Sequence, residues 1–249
     1  MNDGRFFIFI PAFHREVKMG YCVNIRDVKN KEIASGVTER VLLKPENTGN
    51  GPPGDLEVRH YVLEKGGVLE LSNDGVERQD FIVCGSVYFS NRYIHGNTTI
   101  FSPSHAKVKY IHAGETEVRI ISTTYAVPRP THRWAKTRVS TLTEDYEEQL
   151  MTEEFHALTG AHRFHAMDIQ TWDRAPHTNP EETAYILRGK GVMSVDDQEY
   201  EVEAGSLVYA PEGAVHGVRN TGPANTLQYY VMEYTEQDKM WSQRMFEKK

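Results

Sequence analysis

Gly205-Ser206-Leu207-Val208-Tyr209-Ala210-Pro211-Glu212-Gly213-Ala214-Val215-His216-Gly217-Val218-Arg219-Asn220 is the stretch that decides the fold. Two short apolar runs flank a Pro-x-Gly turn, which reads as strand, tight turn and strand. Its one histidine, His216, enters from the second strand. Just upstream lies His177-Thr178-Asn179-Pro180-Glu181-Glu182-Thr183-Ala184-Tyr185-Ile186-Leu187-Arg188-Gly189. Side chains alternate along a strand, so His177 and Asn179 share one direction. Glu182 comes from the next strand, in step with Ala184 and Ile186. Converging imidazole and carboxylate groups from separate strands can hold one divalent metal and leave positions open for substrate. Two neutral imidazoles and one carboxylate suit non-haem Fe(II), and Mn, Ni, Zn and Co also fit. The bland alternative is a surface His–Glu cluster in a metal-free barrel.

These two stretches resemble the motifs of the cupin family. The first is similar to the family's second motif, G-x5-P-x-G-x2-H-x3-N, at every fixed position. The second is similar to the first motif, H-x-H-x3-4-E, followed by an aromatic-aliphatic strand and Gly. The resemblance implies a small jelly-roll β-barrel with metal ligands His177, Glu182 and His216. Asn179 stands where the family has a second His, which leaves three ligands or a weak fourth through the amide oxygen. The spacing from His177 to the Glu pair is also short, so Glu181 rivals Glu182. Glu182 is preferred because it lies in step with the family's strand, three residues before Tyr185.

Further outward the chain repeats itself. Short apolar runs punctuated by Gly, Asn and Asp extend from about Val41 to Tyr125, and again from Arg163 to Tyr234. Phe81-Ile82-Val83-Cys84-Gly85 matches Tyr185-Ile186-Leu187-Arg188-Gly189, and Ser102-Pro103 matches Ala210-Pro211. A repeat of this length means a duplicated domain and not a solenoid. The expected architecture is all-β, two tandem jelly-roll barrels. Residues 1–40 form an N-terminal arm, 41–135 a degenerate barrel, 136–160 a linker, 161–236 the metal-binding barrel and 237–249 a tail. Thr141 to Met151 carries charge without Gly or Pro and reads as a short helical connector capped at Thr143. Registration sets Asn73 against His177, Gly75 against Asn179, Arg78 against Glu182 and Val108 against His216. The first barrel thus has no ligand chemistry and reads as structural.

Composition narrows the function classes. The 249 residues carry 28 Lys+Arg against 35 Asp+Glu, a net charge of -7, with no basic run interleaved with aromatics. Nucleic acid and anionic membrane are poor partners for such a chain. Cys22 and Cys84 stand far apart, outside any CxxC pair, which excludes a disulfide framework and a Cys-ligated zinc. The apolar run Phe6–Ile10 is too short to span a bilayer, and no small-residue cleavage site precedes Met19, itself an alternative start to Met1. A cytoplasmic homo-oligomer is expected, binding a small-molecule substrate and one divalent ion per chain, Fe(II) or Mn(II) first. His162 and His165 differ in parity, so both cannot face the pocket, and a plain strand histidine is the bland alternative for each; His165 and Tyr209 are the expected catalytic groups. Gln228, Tyr230, Met193 and Trp172 are possible pocket linings.

Three functions stand side by side. The ligand set implies dioxygenase-type chemistry on a small polar organic acid. The architecture resembles the ureidoglycine aminohydrolase family, manganese-dependent bicupins that release ammonia from a ureido acid. That family's Glu-x-His, His and Gln pattern differs from the residues here. The third is a ligand-binding barrel without catalysis; no helix-turn-helix pattern precedes either barrel.

Overall fold

The computed structural model describes residues 19–48, 56–126, 135–142, 147–150, 157–166, 172–178, 181–223 and 226–236. Three strands come first: β1 (Tyr21–Asn24), β2 (Lys31–Ala34) and β3 (Val37–Leu43). An octet follows: β4 (Leu56–Leu63), β5 (Val68–Ser72), β6 (Val76–Cys84) and β7 (Ser86–Phe89), then β8 (Arg92–His95), β9 (Thr98–Ser102), β10 (Lys107–His112) and β11 (Val118–Ala126). Next come β12 (Arg138–Thr141) and β13 (Glu147–Leu150). The second octet is β14 (Ala157–Ala166), β15 (Trp172–Thr178), β16 (Glu181–Arg188) and β17 (Lys190–Val195), then β18 (Gln198–Glu203), β19 (Ser206–Ala210), β20 (Val215–Asn220) and β21 (Leu227–Glu236). Among the described residues no helix is long and apolar enough to cross a membrane.

The octets share one wiring diagram. In the first, β11 pairs with β4 and β6, β6 with β9, β10 with β5 and β7, and β7 with β8. In the second, β21 pairs with β14 and β16, β16 with β19, β20 with β15 and β17, and β17 with β18. All these pairings are antiparallel, and each octet makes two facing sheets, a jelly roll. Gly85 and Gly189 close equivalent strands at φ +79 and +86; a Cβ there would stand 2.5 and 2.3 Å from the carbonyl oxygens of Glu117 and Thr226. Only glycine fits both the backbone and the approach.

The connector is not helical where it is described. Arg138–Thr141 is strand β12, paired with β9, and Glu147–Leu150 is strand β13, paired with β14. Two sheet edges offer this segment a full set of hydrogen-bond partners, which outweighs its local helical preference. Of the expected arm, residues 19–40 are described, and they join the barrels. β3 runs across residue 40 and pairs with β4 in the first barrel, whereas β1 pairs with β19 in the second. β12, which opens the second repeat, returns the exchange by pairing with β9 of the first. Each repeat thus lends its leading strand to the other barrel.

Strand alternation divides the core in three. Tyr61, Leu63, Ile82, Val108 and Tyr110 fill the first barrel, and Ala184, Ile186, Met193, Val218 and Tyr229 the second. Residues of opposite parity, among them Leu56, Val58, Phe81 and Ile121 facing Tyr185, Leu207, Tyr209 and Tyr230, weld the two barrels together. The Phe81 and Tyr230 rings stack with centroids 4.1 Å apart, and Gln79 Nε2 donates to Tyr230 Oη at 2.6 Å.

His60 lies in this seam, 2% exposed, 6.5 Å from the Tyr185 ring. Neither ring nitrogen has a hydrogen-bond partner among the described residues. Burial, reinforced by the charges of Arg40 and Arg119, pulls its pKa from 6.5 to about 4. The folded protein therefore holds a neutral imidazole that the unfolded chain protonates more readily. The stability this represents is present above pH 6.5 and is lost as pH falls toward 4, by up to roughly 3 kcal/mol. Urea midpoints at pH 7 and 4.5 should fall further for the wild type than for His60→Gln. Equal falls would refute the assignment.

Candidate metal centre

The site is built from the turn upward. Ala214 N donates to Pro211 O at 3.0 Å, and Gly213 takes φ +79, so the chain reverses and enters β20 at Val215. His216, the next residue, points into the barrel and is 3% exposed. Its Nδ1–H donates to the Ala214 carbonyl at 3.0 Å, which fixes the ring and leaves Nε2 as the reacting nitrogen. Glu182, 6% exposed, enters from β16, with Oε2 3.2 Å from His216 Nε2. β15 runs antiparallel to β20 with His177 opposite His216 and Thr178 opposite Val215.

Burial pulls the His216 pKa down, but the Glu182 carboxylate, the Ala214 carbonyl and the charge of Glu233 together leave it raised. The same geometry suits a metal. Two donors each about 2.1 Å from one ion and at right angles lie about 3 Å from one another. The Nε2–Oε2 separation of 3.2 Å matches that spacing. Among the described residues no group of three or more His, Cys, Asp or Glu stands in metal-holding geometry. The side chains placed here are Glu182 and His216, with His177 added by register and Asn179 outside the described residues.

Below the pair, Glu182, Met193, His216, Gly217, Val218, Tyr229 and Val231 line a cavity of about 10 Å³, room for about one water. Residues 160–232 match the family described as Cupin domain. The second barrel is a cupin domain. The chain's two-barrel arrangement is similar to that of Ylba from E. coli, with TM-score 0.67 and 14% identity, covering 87% of this chain and 90% of that one. A Pseudomonas aeruginosa protein described as glyoxylate-induced aligns with TM-score 0.67 and 13% identity over 89% of this chain and 92% of its own. A variant of Bacillus subtilis oxalate decarboxylase aligns with TM-score 0.61 and 12% identity over 91% of this chain and 81% of its own. At these identities the likeness is one of fold. An uncharacterized protein of Methanocaldococcus jannaschii is 34% identical over 64 residues, 25% of this chain; the match spans 51% of that relative.

Within the second barrel, parity separates the expected site residues. Glu182 shares the barrel interior with Ala184 and Ile186, whereas Glu181 faces the seam, where Tyr209 Oη donates a hydrogen bond to its Oε1. Tyr209 itself is fully buried in the seam, one residue out of phase with the interior face, so it does not reach the His216–Glu182 pair. Tyr230 lies in the same seam. His165 stands opposite Gln228, in phase with Tyr230, while His162 stands opposite Val231, which lines the cavity. Met193 lines the cavity as expected; Tyr229 lines it too, and its strand parity was the only sequence signal for it. Sequence reasoning also passed over Glu233, which stands directly opposite Glu182.

In the first barrel Val108 occupies the place of His216, after an equivalent turn with Ala106 N donating to Pro103 O at 3.0 Å. Leu71 stands opposite Val108, so it is Leu71, not Asn73, that matches His177; the loop to β6 is longer than the loop to β16. Arg78 matches Glu182, each facing the same position of the neighbouring strand, Ser102 and Ala210. The guanidinium is bound in place: Nε donates to Asn73 Oδ1 at 2.8 Å and Nη1 to Ser122 Oγ at 2.5 Å. Asp80 lies 4.0 Å from Nη1 and accepts from Tyr110 Oη at 2.6 Å.

Proposed function

We propose that this chain is a metal-dependent enzyme acting on a small polar organic acid in its second barrel, with His177, Glu182 and His216 as ligands and Asn179 as a weak fourth donor. The observation that carries the reading is the buried Glu182–His216 pair, 3.2 Å apart, with His216 Nδ1 anchored to Ala214 and His177 across the register. A bound Fe(II) or Mn(II) would supply a Lewis acid and a template for the substrate carboxylate. The chain's own part is to aim Nε2 toward Glu182 and surround the ligands with Met193, Val218 and Val231. Two imidazoles and a carboxylate favour dioxygenase-type chemistry. A second reading, a manganese-dependent hydrolase, is favoured by Glu233, a carboxylate beside the site able to accept a proton from water.

Protein purified without added metal should hold about one divalent ion per chain by elemental analysis, because one barrel has ligands and the other does not. His216→Ala and Glu182→Gln should each weaken metal binding by about a hundredfold or more, while Glu181→Gln keeps most of it. Two ions per chain, or metal content indifferent to His216→Ala, would sink the assignment. Oxygen uptake against ammonia release, screened over hydroxy, keto and ureido acids, separates the two chemistries; ligand binding with neither points to a non-catalytic barrel.

A further inference from the structure

The half-open cavity beside His216 and Glu182 has a volume of about 10 Å³, and its walls come from both sheets of the second barrel. On β17 Met193 stands opposite Val218, and Val195, the next residue on that face, stands opposite His216. On β21 Val231 stands opposite Ala184, the interior neighbour of Glu182 on β16. Met193, Val218 and Val231 are all buried and pack in one interior cluster.

These walls decide what can lie beside the pair on this side. A thioether and two valines give a charged group no partner, so a carboxylate or ammonium pressed against them would lose its water without replacement. A hydrogen or a methyl group meets no such penalty. The walls also differ in how far they yield. Valine is branched at Cβ and stiff on a strand, whereas methionine is unbranched and adaptable. The room on this side is therefore set by the Met193 side chain.

We infer that Met193 is a specificity-determining residue: it restricts the substrate acid to one whose substituent on this side of the metal is a hydrogen or a methyl group. This rests on the metal reading above. The test uses the full-length chain loaded with Mn(II) and titrated by calorimetry with glycolate, lactate, 2-hydroxybutyrate and 2-hydroxyhexanoate. Wild-type affinity should drop on the order of tenfold or more between lactate and 2-hydroxybutyrate, since each surplus methylene must displace a packed wall. Met193→Ala should hold the same manganese and move that drop to longer acids. Met193→Leu, close to methionine in volume, should leave the drop where it is. Met193→Val carries the same test as Met193→Ala should the larger truncation unfold the barrel. Equal affinity of the wild type for every acid, or none for any, overturns the inference, and so does a drop that stays at the same length in Met193→Ala and Met193→Val. Wild-type protein that holds no manganese would overturn the metal reading, and this inference with it.

Discussion

Arg78→Ala should destabilise the protein by about 3–5 kcal/mol while leaving its metal content unchanged. Arg78 is 6% exposed and Asp80 is fully buried in the same barrel interior. Burial raises the Asp80 pKa, and the Arg78 charge, with hydrogen bonds from Ser122 and Tyr110, works against that rise. Removing the guanidinium leaves a buried carboxyl with its cation gone and strips Asn73 Oδ1 and Ser122 Oγ of their donor. An uncompensated buried charge is the costliest kind of lesion in a core. Arg78→Met with Asp80→Asn should recover much of the loss, because the pair leaves together. Urea unfolding read beside elemental analysis checks both halves of the expectation. A variant that kept its stability and metal but lost turnover would mean that the first barrel takes part in the chemistry.

Removing residues 1–25 should cost roughly 3 kcal/mol or more, and the loss should fall on the second barrel although the deletion is N-terminal. Tyr21 to Asn24 pair with Tyr209 to Ser206. Tyr21, Val23 and Ile25 pack against the seam, and Asn24 Nδ2 donates to Ser206 Oγ at 3.1 Å. Without them β19 becomes a bare edge, and β19 is the neighbour of β16, which carries Glu182. Hydrogen exchange should therefore quicken in β19 and β16, with β9 and β6 little changed, and metal should be held more weakly. Faster exchange confined to the first barrel would contradict the strand exchange.

The signals in the sequence were uneven for a physical reason. Gly205 to Asn220 could be read because a turn and a strand entry are local: Pro211, Gly213 and His216 act within a few residues of one another. The duplication was legible at Phe81 and Tyr185, since equivalent core positions want similar side chains. The connector was misread because Glu147 to Leu150 has no strong preference of its own, and a distant sheet edge chose for it. Tyr209 went to the seam because parity within a strand says which residues share a face, not which face is the interior.

What the sequence determined by itself is the barrel type and its duplication, carried by short spacings that the backbone enforces. What only the tertiary structure decided is everything that depends on which strands meet. Register set Leu71 against Val108, gave the interior face to Glu182, put Glu233 opposite Glu182, and sent β1 to the far barrel. A strand offers two equal faces and two open edges. Burial of one face against a particular partner is what makes them unequal, and that partner lies far away in the chain.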